Sequence, residues 1–387
     1  MTFNPSTSAG HPGPLCGKVM RISIRFDKKP LLFQNPKNII SCYSPETFVS
    51  SFKDIEAALD KGYHAAGFFS YEAGYNFEDR LREDKSCAFP LIYMGIYDKP
   101  SNENILIGSR NRPEWPKNLK LNISKNKYFS AIEKIRDYIR KGDVYQITYC
   151  IKLLFDFKGD PLALYHALFN DQPVPYPAYI DAGKFKILSL SPEKFLHKTG
   201  THIITKPMKG TWQRGSGIVR DILERIRFQY DHKNRAENIM IADLLRNDLG
   251  RVGTTIRAPT LFEIASYKTL FQMTSTVTGK VKKDIPLYDL FGAIFPSGSV
   301  TGAPRMRAMQ IIRNLENEDR KIYTGAIGYI TPERDMFFNI PIRTILLEEG
   351  RAEMGIGGGI VWDSTPEGEW SEGLLKAKFI TKTCKVG

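Results

Sequence analysis

The sequence predicts an α+β fold, with a large, mostly antiparallel β-sheet core and helices packed outside it. Segments of strand-like alternation outnumber the helical segments and do not alternate with them one to one, which argues against a parallel βαβ arrangement. Hydrophobic residues make up 42% of the 387-residue chain and include 23 Phe and 18 Tyr, so the chain can build a large buried core.

The N-terminal part of the chain mixes strand and helix signals. Residues 1–20 are small, polar and rich in Pro and Gly, without the apolar segment of a signal peptide, and we expect a flexible arm. Apolar and β-branched residues then predict a strand over 19–33. An amphipathic pattern predicts a helix over 48–61, and the glycine-bounded run AAGFFSYE predicts a buried strand over 65–72.

A polar, Pro-rich interval over 98–118 indicates a boundary, from which we expect an N-terminal subdomain at 21–120 and a larger domain at 121–387. Ser124 is positioned to cap a helix that stops at Gly142. Further helices are predicted over 220–230, 235–246 and 303–315. Strands are predicted over 144–155, 185–191, 203–206, 274–279, 323–330, 337–347 and 352–357.

Charge and cysteine content limit the class of protein. The net charge of +13 is spread along the chain without a Lys/Arg block, which favours a basic enzyme that attracts a small anion over a nucleic-acid-binding protein. The five cysteines are far apart and form no CxxC pair, which excludes a zinc site or a disulfide framework and fits a reducing cytosol. No apolar run approaches membrane-spanning length, so we expect a soluble, cytoplasmic protein.

Two side chains are candidates for catalysis. In ITKPMKGTWQRG, Lys209 stands between Pro207 and Gly210, where a stiff backbone on one side could fix the approach of a nucleophilic amine. In LSLSPEKFL, Glu193 follows a predicted strand and a proline turn. Either residue could equally be a solvated side chain at a turn.

Other polar residues suggest binding sites for an anion and a metal. Arg343 and two glycine-rich segments offer donors for carboxylates, and the segments contain Gly298, Thr301 and Gly302, and Gly357, Gly358 and Gly359. Glu237, Glu369 and Glu372 offer the oxygen ligands that Mg²⁺ prefers, and the last two would share one face of a helix. Taken singly, these features are also typical of helix starts, bends and surface carboxylates.

Taken together and in this order, the segments resemble the chorismate-utilising enzymes, which include anthranilate, aminodeoxychorismate, isochorismate and salicylate synthases. The motifs are LSLSPEKFL, PMKGT, NRAENIMIADLLRNDLGRVG, FPSGSVTGAP, NIPIRT and GIGGGIVWDSTPEGEWSEG. The resemblance implies a β-sandwich core, a chorismate-binding catalytic domain at 121–387, and Mg²⁺ held by Glu237 and Glu372 with Glu369 in or near its shell. It also implies that chorismate is contacted by Thr211, Gln146, Gly298, Thr301, Gly302, Tyr323, Arg343, Gly357, Gly358 and Gly359.

Within this family the sequence is most similar to aminodeoxychorismate synthase component I. Members that add water to chorismate carry a lysine base where this chain has Gln146, and anthranilate synthases carry a small residue where it has Lys209. The resemblance implies that neutral Lys209 attacks C2 of chorismate while Glu193 protonates the departing 4-hydroxyl, after which ammonia enters at C4. Gln272 departs from the pattern, since family members often have histidine there.

Two alternatives remain at this point: anthranilate synthase component I, and a non-catalytic basic binding protein on the same fold. No cysteine lies in the nucleophile elbow of a glutaminase. The resemblance therefore implies that ammonia comes from a separate glutamine amidotransferase subunit, in a heterodimer. Neither a nucleic acid nor a membrane is expected as a partner.

Overall fold

The computed structural model describes residues 20–105, 112–267 and 270–381. The predicted arm at 1–20 lies outside this range except for Met20, and part of the 98–118 interval also lies outside it. The described strands, in chain order, are β1 (Arg21–Phe26), β2 (Lys29–Phe33), β3 (Asn38–Cys42), β4 (His64–Phe69), β5 (Ile92–Tyr97), β6 (Lys117–Leu121), β7 (Gln146–Asp156), β8 (Tyr176–Asp181), β9 (Phe185–Ser191), β10 (Lys194–Thr199), β11 (His202–Lys206), β12 (Met208–Gln213), β13 (Gly253–Ser266), β14 (Leu270–Val281), β15 (Gly302–Ala303), β16 (Ala326–Ile330), β17 (Met336–Asn339), β18 (Thr344–Glu348) and β19 (Arg351–Ile360). The described helices are α1 (Phe48–Asp60), α2 (Lys125–Arg140), α3 (Pro161–Asp171), α4 (Ile218–Gln229), α5 (His232–Gly250), α6 (Leu287–Ile294), α7 (Arg305–Leu315) and α8 (Pro366–Thr381).

The strands form two antiparallel sheets. The first has the order β15-β7-β19-β18-β9-β8-β1-β2, with β6 also paired to β7. The second has the order β12-β14-β11-β10-β17-β16-β4-β5-β3, with β13 also paired to β14. Because the strands of both sheets pair antiparallel and the helices pack on the outer faces, the predicted α+β class is confirmed.

Three apolar layers hold the sheets and helices together. Between the sheets, Phe26 of β1 packs against Phe337 of β17, with ring centroids 5.0 Å apart. β4 illustrates the alternation, because Phe68 faces this inter-sheet layer while Phe69 faces α1 and α6 on the other side. A third layer lies between the first sheet and α2, α3, α7 and α8, and it includes Ile132 of α2. The chain thus forms a sandwich covered by helices on both outer faces.

Several predicted elements are confirmed and others are corrected. The helix predicted after Ser124 is α2, and the Ser124 side chain accepts a hydrogen bond from the Lys127 backbone N–H. The single strand predicted over 19–33 is wrong, because positive φ angles at Asp27 and Lys28 turn the chain into the β1–β2 hairpin.

The strand predicted over 337–347 is also wrong, because it is two strands in different sheets. Pro341 and Arg343, whose φ is +51°, separate β17 of the second sheet from β18 of the first. The strand predicted over 323–330 begins only at Ala326, which leaves Tyr323 in the turn before it. This crossing between sheets brings Arg343 to one end of the sandwich.

Strands from both sides of the predicted boundary near residue 120 share the sheets. β1 pairs with β8, and β4 pairs with β16. The division into a subdomain at 21–120 and a domain at 121–387 stays a prediction. None of the helices in the described ranges is both long and apolar enough to cross a membrane.

Candidate active site

The predicted catalytic and metal-binding residues, and the predicted substrate-binding residue Gln146, come from several elements. Lys209 lies on β12, Gln146 begins β7, and Glu193 lies in the turn between β9 and β10. Glu237 lies on α5, and α8 carries both Glu369 and Glu372 in its first two turns. The contacts described below join these residues into one polar cluster, which we call the candidate site.

The Glu193 carboxyl group is almost fully buried, with 2% of the residue exposed. Its Oε1 accepts hydrogen bonds from Ser299 Oγ at 2.6 Å and from the Met208 backbone N–H at 3.3 Å. Burial raises the pKa of Glu193 to about 7, although these donors and the Lys209 ammonium oppose the shift. A carboxyl group with such a pKa can be protonated near neutral pH and can act as a general acid.

The Lys209 amine lies against the wall formed by β7 and β19. A Cβ atom on Gly359 would overlap the Gln146 amide and lie 3.2 Å from Lys209 Nζ, so only glycine fits there. Burial lowers the pKa of Lys209, while the charges of Glu237 and Glu193 act in the opposite direction. A lysine whose pKa is lowered by desolvation is suited to act as a nucleophilic amine.

The Gln146 side chain has no hydrogen-bond partner at either end of its amide, counting only the described residues, although it is fully buried. Such a group normally finds a partner, and leaving it without one costs about 1–3 kcal/mol. Its contact with the Gly359 position places the amide beside the Lys209 amine. Gln146 is therefore positioned to hydrogen-bond a ligand that reaches Lys209.

Two carboxylates and a lysine meet on α8. Lys376 Nζ lies 2.9 Å from Glu372 Oε1 and donates to the Gly357 carbonyl at 2.7 Å. The Lys376 charge holds the pKa of Glu372 below its usual value. Glu369 Oε1 accepts a hydrogen bond from Ser364 Oγ at 2.6 Å, and burial raises the pKa of this carboxyl group.

The three glutamates suit a hard divalent cation in their chemistry. Glu369 Oε2 is buried without a hydrogen-bond partner in the described ranges, and the charge of Glu372 raises the pKa of both Glu237 and Glu369. Oxygen ligands of this kind fit Mg²⁺. The same ranges contain no group of three His, Cys, Asp or Glu side chains close enough together to enclose a metal ion.

Arg343 provides a cation in the segment that joins β17 to β18. Its guanidinium forms no ion pair with a described carboxylate, and Tyr267 has electrostatic contact with both Arg343 and Glu193. Burial lowers the pKa of Arg343. A half-buried guanidinium without a carboxylate partner is suited to bind an anionic ligand.

The glycine-rich segments form two walls of the site. Gly298 lies in a 3₁₀ turn against Leu244, and the Thr301 hydroxyl donates to the Ser297 carbonyl at 2.9 Å. Gly302, at φ +147°, lies against the Gln146 carbonyl, where a side chain would clash. On the opposite wall, Gly357, Gly358 and Gly359 are part of β19 and pair with β7, so GIGGG is a strand and not a bend.

Two predicted substrate-binding residues lie apart from the contacts described around Lys209. Tyr323 packs against Gly355, and its hydroxyl, whose pKa is raised by burial, interacts with Cys150. Thr211 is exposed on β12, where it stands opposite Gln272 of β14. The contacts given above do not bring either residue to Lys209, and their roles stay predictions.

A family model for chorismate binding enzymes matches residues 19–382. The chain belongs to the chorismate binding enzyme family. It is 41% identical over 266 residues to a protein of Oryza sativa subsp. japonica named probable aminodeoxychorismate synthase, chloroplastic, covering 67% of this chain and 30% of that protein. It is 37% identical over 272 residues to anthranilate synthase component 1 of Aquifex aeolicus, covering 70% of this chain and 55% of that protein. The chain thus spans about a third of the first relative and about half of the second.

The crystal structure of anthranilate synthase component I from Streptococcus pneumoniae TIGR4 has the same fold. It superposes with a TM-score of 0.76 over 97% of this chain and 95% of that chain, at 24% sequence identity. The resemblance to the chorismate binding enzyme family that the motifs indicated is therefore confirmed, and so is the sandwich fold that it implied.

Three residues of the candidate site were not predicted from the sequence motifs. Lys376 could have been found, because it follows Glu372 by four residues on a helix and so faces it. Ser299 lies inside FPSGSVTGAP, but nothing in the motif indicated that its hydroxyl would reach Glu193. Tyr267 follows β13, in a segment without a recognisable motif.

Proposed function

We propose that the chain is the chorismate-converting component of an aminodeoxychorismate synthase, in which Lys209 is the nucleophile. The observation that carries the proposal is the primary amine of Lys209, with a pKa lowered by burial, in a cluster that also holds the buried acid Glu193. Relatives bear the names of aminodeoxychorismate synthases and of anthranilate synthases, so family membership alone does not choose between the two products.

The reaction has two steps. Neutral Lys209 attacks C2 of chorismate, the ring double bonds shift, and the 4-hydroxyl leaves as water after it takes the proton of Glu193. Ammonia then attacks C4, the bond between C2 and Lys209 breaks, and the Glu193 carboxylate accepts the surplus proton. The sum is chorismate plus ammonia giving 4-amino-4-deoxychorismate plus water.

Carboxylate binding orients the substrate for this attack. Arg343 and the N–H groups of the glycine segments supply donors for the enolpyruvyl carboxylate, with Tyr323 and Thr211 as further contacts. Glu237, Glu369 and Glu372 would hold Mg²⁺, which would neutralise the ring carboxylate when bound. Gln146 donates its free amide hydrogens to the substrate beside Lys209 and cannot act as a base toward water.

Ammonia is supplied by a separate glutamine amidotransferase subunit. We therefore expect the purified chain to convert chorismate with ammonium salts and Mg²⁺, and to use glutamine only when that subunit is added. Mass analysis should find 4-amino-4-deoxychorismate, and adding the lyase that forms 4-aminobenzoate should give its fluorescence. If anthranilate is the product instead, the chain is an anthranilate synthase component I, and if chorismate is not consumed, the proposal is wrong.

A further inference from the structure

The helix α4 carries apolar residues on its solvent-facing side. Only Phe228 is buried, where it stacks on Trp212 with ring centroids 5.5 Å apart. The other apolar residues, together with Tyr230 just after the helix, expose between 48% and 82% of their surface: Ile218, Val219, Ile222, Leu223, Ile226 and Tyr230. We call these six residues the α4 stripe.

The α4 stripe reverses the usual polarity of a surface helix. Its members recur at spacings of three and four residues, so they form one continuous strip along the helix. A surface helix normally turns such a strip toward the core, and a contiguous exposed apolar patch on a globular protein marks an interaction site. We infer that α4 is the docking surface for a separate polypeptide with an apolar patch bordered by carboxylates.

The charges beside the α4 stripe determine the kind of partner. Asp221 is paired with Arg214, and Glu224 with Arg227 at 2.9 Å, so both carboxylates of the helix are engaged within the chain. Arg220 and Arg225 form no ion pair with any described carboxylate, although their charges act on Glu224 and Asp221, which are already paired. The charge left for a partner is therefore positive.

A second copy of this chain would bring Arg220 and Arg225 against the same residues, on a molecule that already carries a net charge of +13. Like charges that face each other across an interface disfavour association. An acidic partner would instead pair with both arginines while it covers the apolar side chains. Charge complementarity thus favours an acidic protein over self-association.

The position of α4 connects this surface to the candidate site. The helix joins β12, which carries Lys209, to α5, which carries Glu237. A partner bound on α4 would therefore touch the segment that links two site-bearing elements. The identification of that partner as the ammonia-supplying amidotransferase rests on the proposed function.

The test measures binding of the purified glutamine amidotransferase subunit of the same organism to the full chain. One double variant, Ile222→Glu with Ile226→Glu, removes the apolar stripe, and a second, Arg220→Glu with Arg225→Glu, reverses its charge. Val49→Ser, at an exposed apolar position of α1, is the matched control. We expect each double variant to raise the Kd and to lower glutamine-dependent turnover at least tenfold, while ammonia-dependent turnover and the control stay within twofold of the parent.

The inference is overturned if the parent chain forms no complex, or if both double variants bind the subunit within twofold of the parent. It is also overturned if the α4 stripe instead mediates dimerisation in light scattering, or binding to phosphatidylserine vesicles, with the subunit Kd unchanged. The proposed function fails separately, when the parent chain does not convert chorismate with ammonium. The binding measurement remains informative in that case.

Discussion

Arg320 and its hydrogen-bond partners form a second buried polar cluster, which we call the Arg320 cluster. It differs from the candidate site in how completely its polar groups are hydrogen-bonded. Arg320 donates through all three guanidinium nitrogens, to both Glu316 oxygens at 2.6 and 2.8 Å, to Thr324 Oγ1, and to the Val300 and Thr148 carbonyls. Its backbone N–H also donates to the buried Glu72 at 2.7 Å. The candidate site instead leaves the Gln146 amide, Gln272 Oε1 and Glu369 Oε2 without partners among the described residues.

This difference separates a structural polar cluster from a ligand-binding one. Single unpartnered polar atoms occur elsewhere in the described ranges, such as the Tyr165 hydroxyl and Asn339 Oδ1, but Gln146 lacks partners at both ends of its amide. A fully bonded buried ion pair fixes the packing around it, whereas an unbonded amide keeps its donors for a ligand. The comparison predicts that mutations in the candidate site reduce turnover, and that mutations in the Arg320 cluster reduce stability.

The largest expected effect is on turnover, from Lys209→Ala. Loss of the proposed nucleophile should lower ammonia-dependent turnover at least about a thousandfold, with little change in chorismate affinity or in the free energy of unfolding. Steady-state kinetics and denaturant titration measure the two quantities. Lys206→Ala is the matched control, since Lys206 pairs with Glu263 at the surface, and it should stay within about twofold of the parent. Parental turnover in Lys209→Ala would rule out covalent catalysis.

The second effect is on stability, from Arg320→Leu. Removal of the guanidinium leaves Glu316 buried and unpaired, which should lower the free energy of unfolding by about 3–5 kcal/mol. The folded fraction should keep most of its turnover, because Arg320 belongs to the structural cluster. Urea unfolding and kinetics on the same preparation test both statements. A stable variant without activity would place Arg320 in the candidate site and remove the distinction.

The third effect links the site to pH, through Glu193→Gln. The pKa of Glu193 is about 7 when folded, above the usual 4.5, so its contribution to stability is complete below pH 4.5 and is lost as the pH rises through 7. At pH 8 the carboxylate should therefore cost the folded state up to about 3 kcal/mol. The variant should be more stable than the parent at pH 8, equal to it near pH 4.5, and much less active. Equal stability at both pH values would contradict a buried, ionising acid.

The sequence predicts those parts of the fold that local contacts decide, and it does not predict those that distant contacts decide. Local signals predicted α2 correctly, because its cap residue Ser124 lies directly before the helix. α3 carries a comparable signal that our sequence predictions missed, with Asp160 as the cap and Pro161 in the first turn. The sheet change between β17 and β18 could not be predicted, because pairing with distant strands decides which sheet each strand joins.

The candidate site shows the same limit. Motifs singled out Lys209 and Glu193 as candidates because an amine and a carboxyl group can act as a nucleophile and a general acid. Ser299 was not identified, because its hydroxyl reaches Glu193 only through contacts between residues 106 positions apart. The unpartnered state of Gln146 is likewise a property of the packed β7 and β19, and no local pattern encodes it.

The smallest effect is expected from Gln272→His, which replaces a buried amide whose Oε1 has no partner among the described residues, next to the proposed nucleophile. Gln272 of β14 stands opposite Thr211, and the preceding ladder pair joins Lys209 to Met273. Because Gln272 Oε1 bonds to no described residue, the substitution should change the free energy of unfolding by less than about 1 kcal/mol. In anthranilate synthases a histidine in this frame is associated with pyruvate loss.

We expect Gln272→His to keep 4-amino-4-deoxychorismate as its main product, since Lys209 still directs nitrogen to C4. Mass analysis and anthranilate fluorescence measure the product ratio, with Gln272→Asn as the control that keeps an amide. Combining Gln272→His with Lys209→Ala should increase the anthranilate share of the remaining turnover above that of either single variant. If Gln272→His alone makes anthranilate the main product, then the residue opposite Thr211, and not the lysine, selects the carbon that receives nitrogen.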